Sequence, residues 1–320
     1  MWWSLRYHIF TLLLPAFMLT GAGVANAAIE ITDSHGIHRF GSPPSRVVVL
    51  NWALAENMLA LGEVPVGMAD IAAYQQHAAN VKVPASTQDV GTRLSPDLKR
   101  IQSLQPDVIL IGYSQRALMR PLSNIAPVVY FKNFGKRYQH AEKSRARFLE
   151  LAKLFNKTAL AETLLQNAEH ASAQRQASVR ARTDAAGHHL VLRIVAPSER
   201  HADQAVLFGT NSMPYYAAEQ LGLSVVSAVE NDQYGTRAVT WDELMALETG
   251  QLELDAAKNV IVCPIFLSSY ASPTAAARSK FAPNSTQPKL EYQHAFGGVM
   301  SIYALAEAFE PIVRHCLSQT

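Results

Sequence analysis

Short β-branched runs alternate with helix-like segments along most of the chain. Val47-Val48-Val49-Leu50 suits a buried parallel strand, Leu54 to Leu61 has helical character, and Gly62 stops it before the next extended stretch, Val64-Pro65-Val66-Gly67. The pattern recurs. Ser95-Pro96-Asp97 starts a helix with Ser as cap and Pro in the first turn, and Leu98, Ile101 and Leu104 lie on one helical face. Pro106 precedes a strand at Val108 to Ile111, a helix from about Gln115 to Asn124 follows, and Val128-Val129-Tyr130-Phe131 is the next strand. Strands that alternate with helices in this way predict a three-layer α/β unit with a parallel sheet.

Neither Gly nor Pro occurs from 136 to 186, where Ala, Leu, Gln, Glu, Lys and Arg dominate and Phe148, Leu151, Leu154 and Phe155 repeat at helical spacing. One long helix, or two broken near Asn156, is the simplest reading; the apolar seam fades through Gln174 to Arg182, where a coiled coil would need it. The α/β pattern then resumes with strands at Leu190 to Val195, Val225-Val226 and Asn259 to Cys263. Its helices are expected at Met213 to Leu221, Thr240 to Leu247 and Val299 to Phe309. The segment Ser268 to Pro288 is rich in Ser, Ala and Pro and reads as surface. The predicted organisation is therefore a lobe at 28–135, a helical connector at 136–186 and a second lobe at 187–320.

Residues 1–27 carry a different signal. Arg6 gives a positive start, Ile9 to Leu19 is apolar apart from Thr11 and Pro15, and Ala25-Asn26-Ala27 has the form of a cleavage site, which predicts an exported chain whose mature form starts at Ala28. The apolar run is too short to span a bilayer, and no Cys stands near the cleavage site to take a lipid. Export changes the meaning of the thiols: Cys263 and Cys316 are the only two of 320 residues, so one disulfide or two buried thiols are both open. Charge adds an exclusion. The 28 Lys+Arg and 26 Asp+Glu leave a net +2, and charged residues make up only 17% of the chain, which is no footprint for nucleic acid or a membrane surface.

An exported α/β protein invites a search for hydrolase chemistry. The strand end Gly112-Tyr113-Ser114 is followed by Gln115-Arg116, without the second glycine of a nucleophile elbow, and neither a phosphate loop nor a dinucleotide turn is present. His35 and His38, and the pair His188-His189, lack metal-site spacing and read as solvated side chains. What remains is a set of aromatic and arginine residues near the carboxyl ends of strands, where open α/β sheets bind ligands. In the first lobe these are Trp52, Tyr74, Arg93 and Tyr113. In the second they are Tyr234 and Arg237, in Tyr234-Gly235-Thr236-Arg237 before the Thr240 cap, and His294 and Phe296 before the last helix.

These residues fall in blocks that resemble the periplasmic binding proteins of ABC importers for ferric siderophores, vitamin B12 and haem. The carriers are Arg46-Val47-Val48-Val49-Leu50-Asn51-Trp52 with Glu56 and Leu61-Gly62, then Asp89-Val90-Gly91-Thr92-Arg93-Leu94-Ser95-Pro96-Asp97-Leu98, and Leu104-Gln105-Pro106-Asp107-Val108-Ile109. Leu207-Phe208-Gly209-Thr210-Asn211-Ser212 and Tyr234-Gly235-Thr236-Arg237-Ala238-Val239-Thr240 are similar to the ferric hydroxamate-binding members. The resemblance covers Arg46 to Phe309. It implies an α/β fold of two three-layer lobes joined by one long helix, the class III arrangement, with a shallow cleft and modest closure.

For function, the resemblance implies a monomeric periplasmic carrier without catalysis or cofactor, whose ligand is an Fe(III)-siderophore and whose partners are an inner-membrane ABC permease and its ATPase. It places Arg93 and Tyr113 on the iron-chelating oxygens, Tyr234 where the family often has tryptophan, and His294 and Phe296 where it has tryptophan and tyrosine. It also places permease docking at Asp242, whereas the first-lobe position falls at Lys99, leaving Asp97 as the neighbouring acid. A ferric tris-hydroxamate is close to neutral, so one or two arginines and an aromatic wall suffice for it. Arg93 and Arg237, with Arg116 and Arg120 further along, therefore fit a hydroxamate or a mixed citrate-hydroxamate chelate, and the caged iron needs no protein ligand. The alternative ligands of the same fold are haem or a corrinoid, with His294 or a tyrosine on the metal. An exported hydrolase using Ser114 is the reading from a different class.

Overall fold

A computed structural model describes residues 28–77, 81–132, 140–187, 189–198, 201, 203–225, 232, 234–244, 246, 260–267 and 297–318. The expected leader at 1–27 lies outside the described residues. The chain enters through an antiparallel hairpin, β1 (Ile29–Thr32) and β2 (Ile37–Phe40), which the apolar pattern did not reveal because it buries few of its side chains. Its turn is anchored by Asp33, whose carboxylate accepts the backbone N–H groups of His35 at 2.7 Å and Tyr130 at 2.8 Å. His38 Nε2 lies 2.8 Å from the same carboxylate, so this histidine stitches the hairpin instead of facing solvent alone.

Five parallel strands make the first sheet. β3 (Val47–Val49), β4 (Gly67–Met68), β5 (Gln88–Asp89), β6 (Val108–Gly112) and β7 (Val128–Phe131) lie in the order β5-β4-β3-β6-β7. The uninterrupted apolar runs are explained by burial on both faces. Val47, Val49, Val108, Leu110, Val129 and Phe131 face one core, and Val48, Ile109, Ile111 and Tyr130 the other. Helix α1 (Trp52–Ala60) belongs to the first core, and α2 (Ile71–His77) follows β4. Helices α3 (Leu98–Ser103) and α4 (Met119–Ser123) cover the opposite face through Ile101, Leu104 and Leu122. The expected helix at Gln115 to Asn124 is split, because Tyr113–Leu118 forms a tighter 3-10 turn ahead of α4.

The connector is two helices, α5 (His140–Leu154) and α6 (Thr158–Ala186), so of the two readings of 136–186 the break near Asn156 holds and the single long helix does not. The break falls at Asn156, whose φ of 54° is left-handed; Asn reaches that region more readily than most residues. The 29 residues of α6 reach about 43 Å at helical rise. That length joins the molecule: Ala161 and Leu165 are buried in the first core, and Val179 in the second.

The second sheet is mixed, not parallel as the alternating pattern predicts. β8 (His189–Pro197) pairs with β9 (Gln204–Phe208) antiparallel and with β10 (Ser224–Val225) and β12 (Val260–Phe266) in parallel, while β11 (Thr236–Thr240) is antiparallel to β9. Alternation again gives two cores. Leu190, Leu192, Ile194 and Ala196 meet α7 (Met213–Gln220) and α8 (Val299–Ser318), whereas Val195, Ala205, Leu207 and Val239 meet Trp241 and Leu244. Helix α8 runs nine residues past the expected Phe309, through Pro311. Burial of Ile312 and Val313 outweighs the hydrogen bond that the proline removes. Cys263 of β12 is bonded to Cys316 of α8, which settles the thiol alternatives in favour of a disulfide.

The first turn of α8 returns to the first lobe. Val299 donates its backbone N–H to Asn57 Oδ1 at 3.0 Å, and the Ser301 hydroxyl donates to Glu56 in a buried contact. Gly297 and Gly298 make this approach possible. A Cβ on Gly298 would stand 2.2 Å from Asn57 Oδ1 and 3.0 Å from the Ala53 carbonyl oxygen.

Candidate functional site

In a parallel sheet, the residues that leave each strand emerge along one edge, and the order of the first sheet sets theirs. Strands β3 and β6 are neighbours from which the chain departs in opposite directions, so the crevice that favours ligands lies between Trp52 and Tyr113. Asn51 leaves β3 in an extended conformation and caps α1, accepting the Leu54 N–H at 3.3 Å. Trp52 is thereby the first residue of α1. Its indole Nε1 donates to the Ala69 carbonyl at 3.2 Å, its ring meets Tyr74 edge-on at 5.8 Å, and only 2% of the residue is exposed.

The centre of the site is Arg93. Its guanidinium carbon lies 3.5 Å from the centroid of the Trp52 ring, a cation–π contact. Asp70, just past β4, takes both the Arg93 backbone N–H at 2.9 Å and its Nε at 3.0 Å on one carboxylate oxygen. From the turn after β6, Gln115 donates to the Arg93 carbonyl at 3.2 Å and accepts the Gly112 N–H at 3.1 Å. Trp52 and Asp70 therefore hold the guanidinium, and Gln115 holds the backbone that carries it. The Arg93 side chain is 35% exposed, and among the described residues its Nη1 and Nη2 have no hydrogen-bond partner, so two donor nitrogens remain for ligand oxygens.

The loop that carries Arg93 is itself fixed. Gly91 adopts φ 91°, where a side chain would be strained, and a Cβ there would stand 3.1 Å from the Asp97 nitrogen. Asp89 accepts the N–H groups of Ile71 and Gly91, the Asp97 N–H returns to the Val90 carbonyl at 2.8 Å, and Gly91 pairs with Pro96 across the turn. Asp97, not Ser95, caps α3 by accepting the Arg100 N–H at 3.0 Å. Both Asp97 and Lys99 are exposed.

In the second lobe, Asp232 holds the turn that carries Tyr234. Its carboxylate accepts the N–H groups of Tyr234 at 2.8 Å and Thr236 at 2.9 Å, together with the Thr236 hydroxyl. Gly235 packs so closely on Asn211 and Ser212 that a Cβ would lie 2.4 Å from the Ser212 nitrogen. The blocks at 207–212 and 234–240 thus interlock physically. Tyr234 is half-buried, Arg237 is exposed on β11, and Asp242 is exposed in the helical turn at 241–244. Thr240 N–H and hydroxyl hydrogen bonds, with the Arg237 charge adding, hold the Glu243 carboxyl below its usual range.

The structure gathers Trp52, Tyr74 and Arg93 into one cluster but gives them different places. Trp52 and Tyr74 are core residues beneath Arg93, not open cleft walls; burial raises the Tyr74 hydroxyl pKa, and the Glu56 charge raises it further. Tyr113 is half-buried at the start of the 3-10 turn, and Ser114, Arg116 and Arg120 are exposed beyond it. His294 and Phe296 lie outside the described residues. Sequence reasoning missed Asp70 and Gln115. Asp70 follows Met68-Ala69 at a strand end and obeys the rule that selected Trp52, whereas Gln115 carries no comparable signal. Among the described residues, no group of three or more His, Cys, Asp or Glu is placed to hold a metal ion, and no helix is long and apolar enough to cross a membrane.

Comparison with known proteins identifies the family. The chain is 31% identical over 211 residues to the iron(3+)-hydroxamate-binding protein FhuD of Escherichia coli, an alignment spanning 65% of this chain and 68% of that protein. It is 32% identical over 121 residues to the Fe(3+) dicitrate-binding periplasmic protein FecB of the same organism, across 37% of this chain and 40% of that one. The crystal structure of the siderophore-binding protein FhuD from Vibrio cholerae with Fe3+-Desferal bound superposes with a TM-score of 0.74 and 29% identity. That superposition covers 85% of this chain and 98% of the other. The family match runs over residues 47–243, from the first strand of the parallel sheet to the exposed acids after β11, and so takes in Trp52, Asp70, Arg93 and the Tyr234 turn. The chain belongs to the periplasmic binding protein family.

Proposed function

We propose that this protein captures a ferric siderophore of the hydroxamate or mixed citrate-hydroxamate class in the periplasm and delivers it to an inner-membrane ABC permease and its ATPase. The observation that carries the reading is Arg93, held by Asp70 over Trp52 with both Nη nitrogens open at the carboxyl edge of a parallel sheet. Such a group hydrogen-bonds the oxygens of a preformed chelate without touching the iron. The similarity to hydroxamate-binding relatives in sequence and in structure supports the same class. On this reading the lobes at 28–135 and 187–320 face each other across the cleft, with Tyr113, Tyr234 and Arg237 completing it, and the carrier works as a monomer.

Titration of intrinsic tryptophan fluorescence with ferrichrome, ferrioxamine and an aerobactin-type chelate tests the proposal, because Trp52 lies directly under the binding guanidinium. Saturable quenching by at least one at micromolar concentration is the expected result, and none would sink it. Arg93→Ala should weaken binding by about 1.5–3 kcal/mol, the size of a hydrogen bond to a charged group. Unchanged affinity would remove Arg93 from the site.

Docking on the permease is proposed for the exposed acids Asp97 and Asp242. The double substitution Asp97→Asn and Asp242→Asn keeps the α3 cap acceptor while removing both charges. Chelate affinity should stay the same while uptake into permease-containing vesicles falls severalfold. Full uptake would exclude these two positions.

A further inference from the structure

Arg93 is a charged group at a site whose proposed ligands include tris-hydroxamate chelates of little net charge, and the structure supplies its counter-charge. The Asp70 carboxylate lies 3.0 Å from Arg93 Nε, and the pair is partly exposed, at 21% for Asp70 and 35% for Arg93. The contact is built into the backbone. Asp70 holds φ 54°, donates its own N–H to the Gly91 carbonyl at 2.8 Å, and starts α2 by accepting the Tyr74 N–H at 2.8 Å. These bonds fix the backbone of Asp70, and its carboxylate is held by the Arg93 backbone N–H at 2.9 Å as well as by Nε. Nearby Arg100 does not replace it as a free cation, since its Nη1 donates to the Asp89 carbonyl at 2.8 Å and its Nε lies 3.9 Å from Asp97.

We infer that Asp70 determines the charge selectivity of the site: it leaves the Nη donors of Arg93 available for hydrogen bonding while its carboxylate cancels the guanidinium charge, favouring neutral chelates over anionic ones. This rests on the ferric-siderophore reading and adds to it a residue that sets which chelates are accepted. The physical argument is the difference between two requirements. A tris-hydroxamate needs directed N–H donors, because its three monoanionic groups already balance the iron. Ferric dicitrate keeps negative charge, gains from an uncompensated cation, and is repelled by a carboxylate a few ångströms away. Asp70 is thus a positioning residue through its hydrogen bonds and a specificity residue through its charge.

The test separates these roles with Asp70→Asn. Asn has a similar shape, tolerates φ near 54°, and keeps a carbonyl oxygen for the Arg93 nitrogens. Affinities of parent and variant are measured by fluorescence titration for ferrichrome, which is neutral, and ferric dicitrate, which is anionic, at low and high salt. The expected result is a shift of the ferrichrome-to-dicitrate affinity ratio toward dicitrate by about tenfold or more at low salt, shrinking at high salt. Arg116 and Arg120 are the same in parent and variant, so the comparison isolates Asp70. Asp70→Ser makes the same charge change with a shorter acceptor and must move the ratio in the same direction. An equal loss for both ligands, or an unmoved ratio, overturns the inference and leaves the siderophore reading standing. A parent protein that binds no ferric chelate overturns both.

Discussion

Replacing both cysteines with serine is expected to lower the stability of the oxidised protein by about 4 kcal/mol. The bond joins Cys263 and Cys316 across a sequence separation of 53, and closing a loop of that size in the unfolded chain accounts for a loss of that order. Cys263 sits fully buried in β12, at the centre of a core shared with Ile265, Phe309 and Ile312, so its serine substitute also brings a hydroxyl into apolar surroundings. Urea unfolding of the parent and the Cys263→Ser/Cys316→Ser variant should therefore give well-separated midpoints. Most of that gap should close when the parent is unfolded in strong reductant. Coincident midpoints under oxidising conditions would show that the bond does not form in solution.

Gly298→Ala should cost about 2–4 kcal/mol, at a position just before α8 where glycine is also the better cap. Its Cβ would press into Asn57 Oδ1 and the Ala53 carbonyl at 2.2 Å and 3.0 Å, and backbone oxygen on α1 cannot rotate out of the way. Overpacking of this kind costs about 1–3 kcal/mol, and displacing Asn57 would also break its bond to the Val299 N–H, worth about 1 kcal/mol. Gly41→Ala is the control: a Cβ there meets nothing within 4 Å, so a change within about 0.5 kcal/mol is expected. Thermal unfolding of the two variants side by side decides the matter, and equal midpoints would mean that α8 shifts freely on α1.

Elements that carry a continuous or periodic run of apolar side chains were legible from the chain alone. The strands at Val47, Val108 and Val128, helix α7 before Gly222, and the helical connector all announced themselves through uninterrupted or periodic apolar residues. Elements made mainly by backbone pairing did not. The strand Gln88–Asp89 is two residues long and polar, and β11 reads Thr-Arg-Ala-Val-Thr with two exposed positions, so only pairing with β4 and β9 defines them. The mixed character of the second sheet was hidden for the same reason, since β9 and β11 supply its antiparallel part. At the site, Arg93 could be selected from its place before a helix cap, but its partners required three dimensions. Asp70 and Gln115 stand 23 and 22 positions from it and reach it from separate loops.

Two contacts between α8 and α1 bear on the order in which the molecule assembles. Ser301 reaches Glu56 over 245 positions, and Val299 reaches Asn57 over 242. Contacts of such long range are slow to find, whereas the neighbouring strands of the first sheet can pair as soon as their own short connections close. Glu56 and Asn57 of α1 are therefore expected to stay in water through the early stages of folding and to be desolvated when the last helix arrives. Because α1 begins at Trp52, beneath Arg93, the support of the binding loops is completed by the final segment to dock, and a chain arrested before that step would hold a formed sheet with an unfinished site.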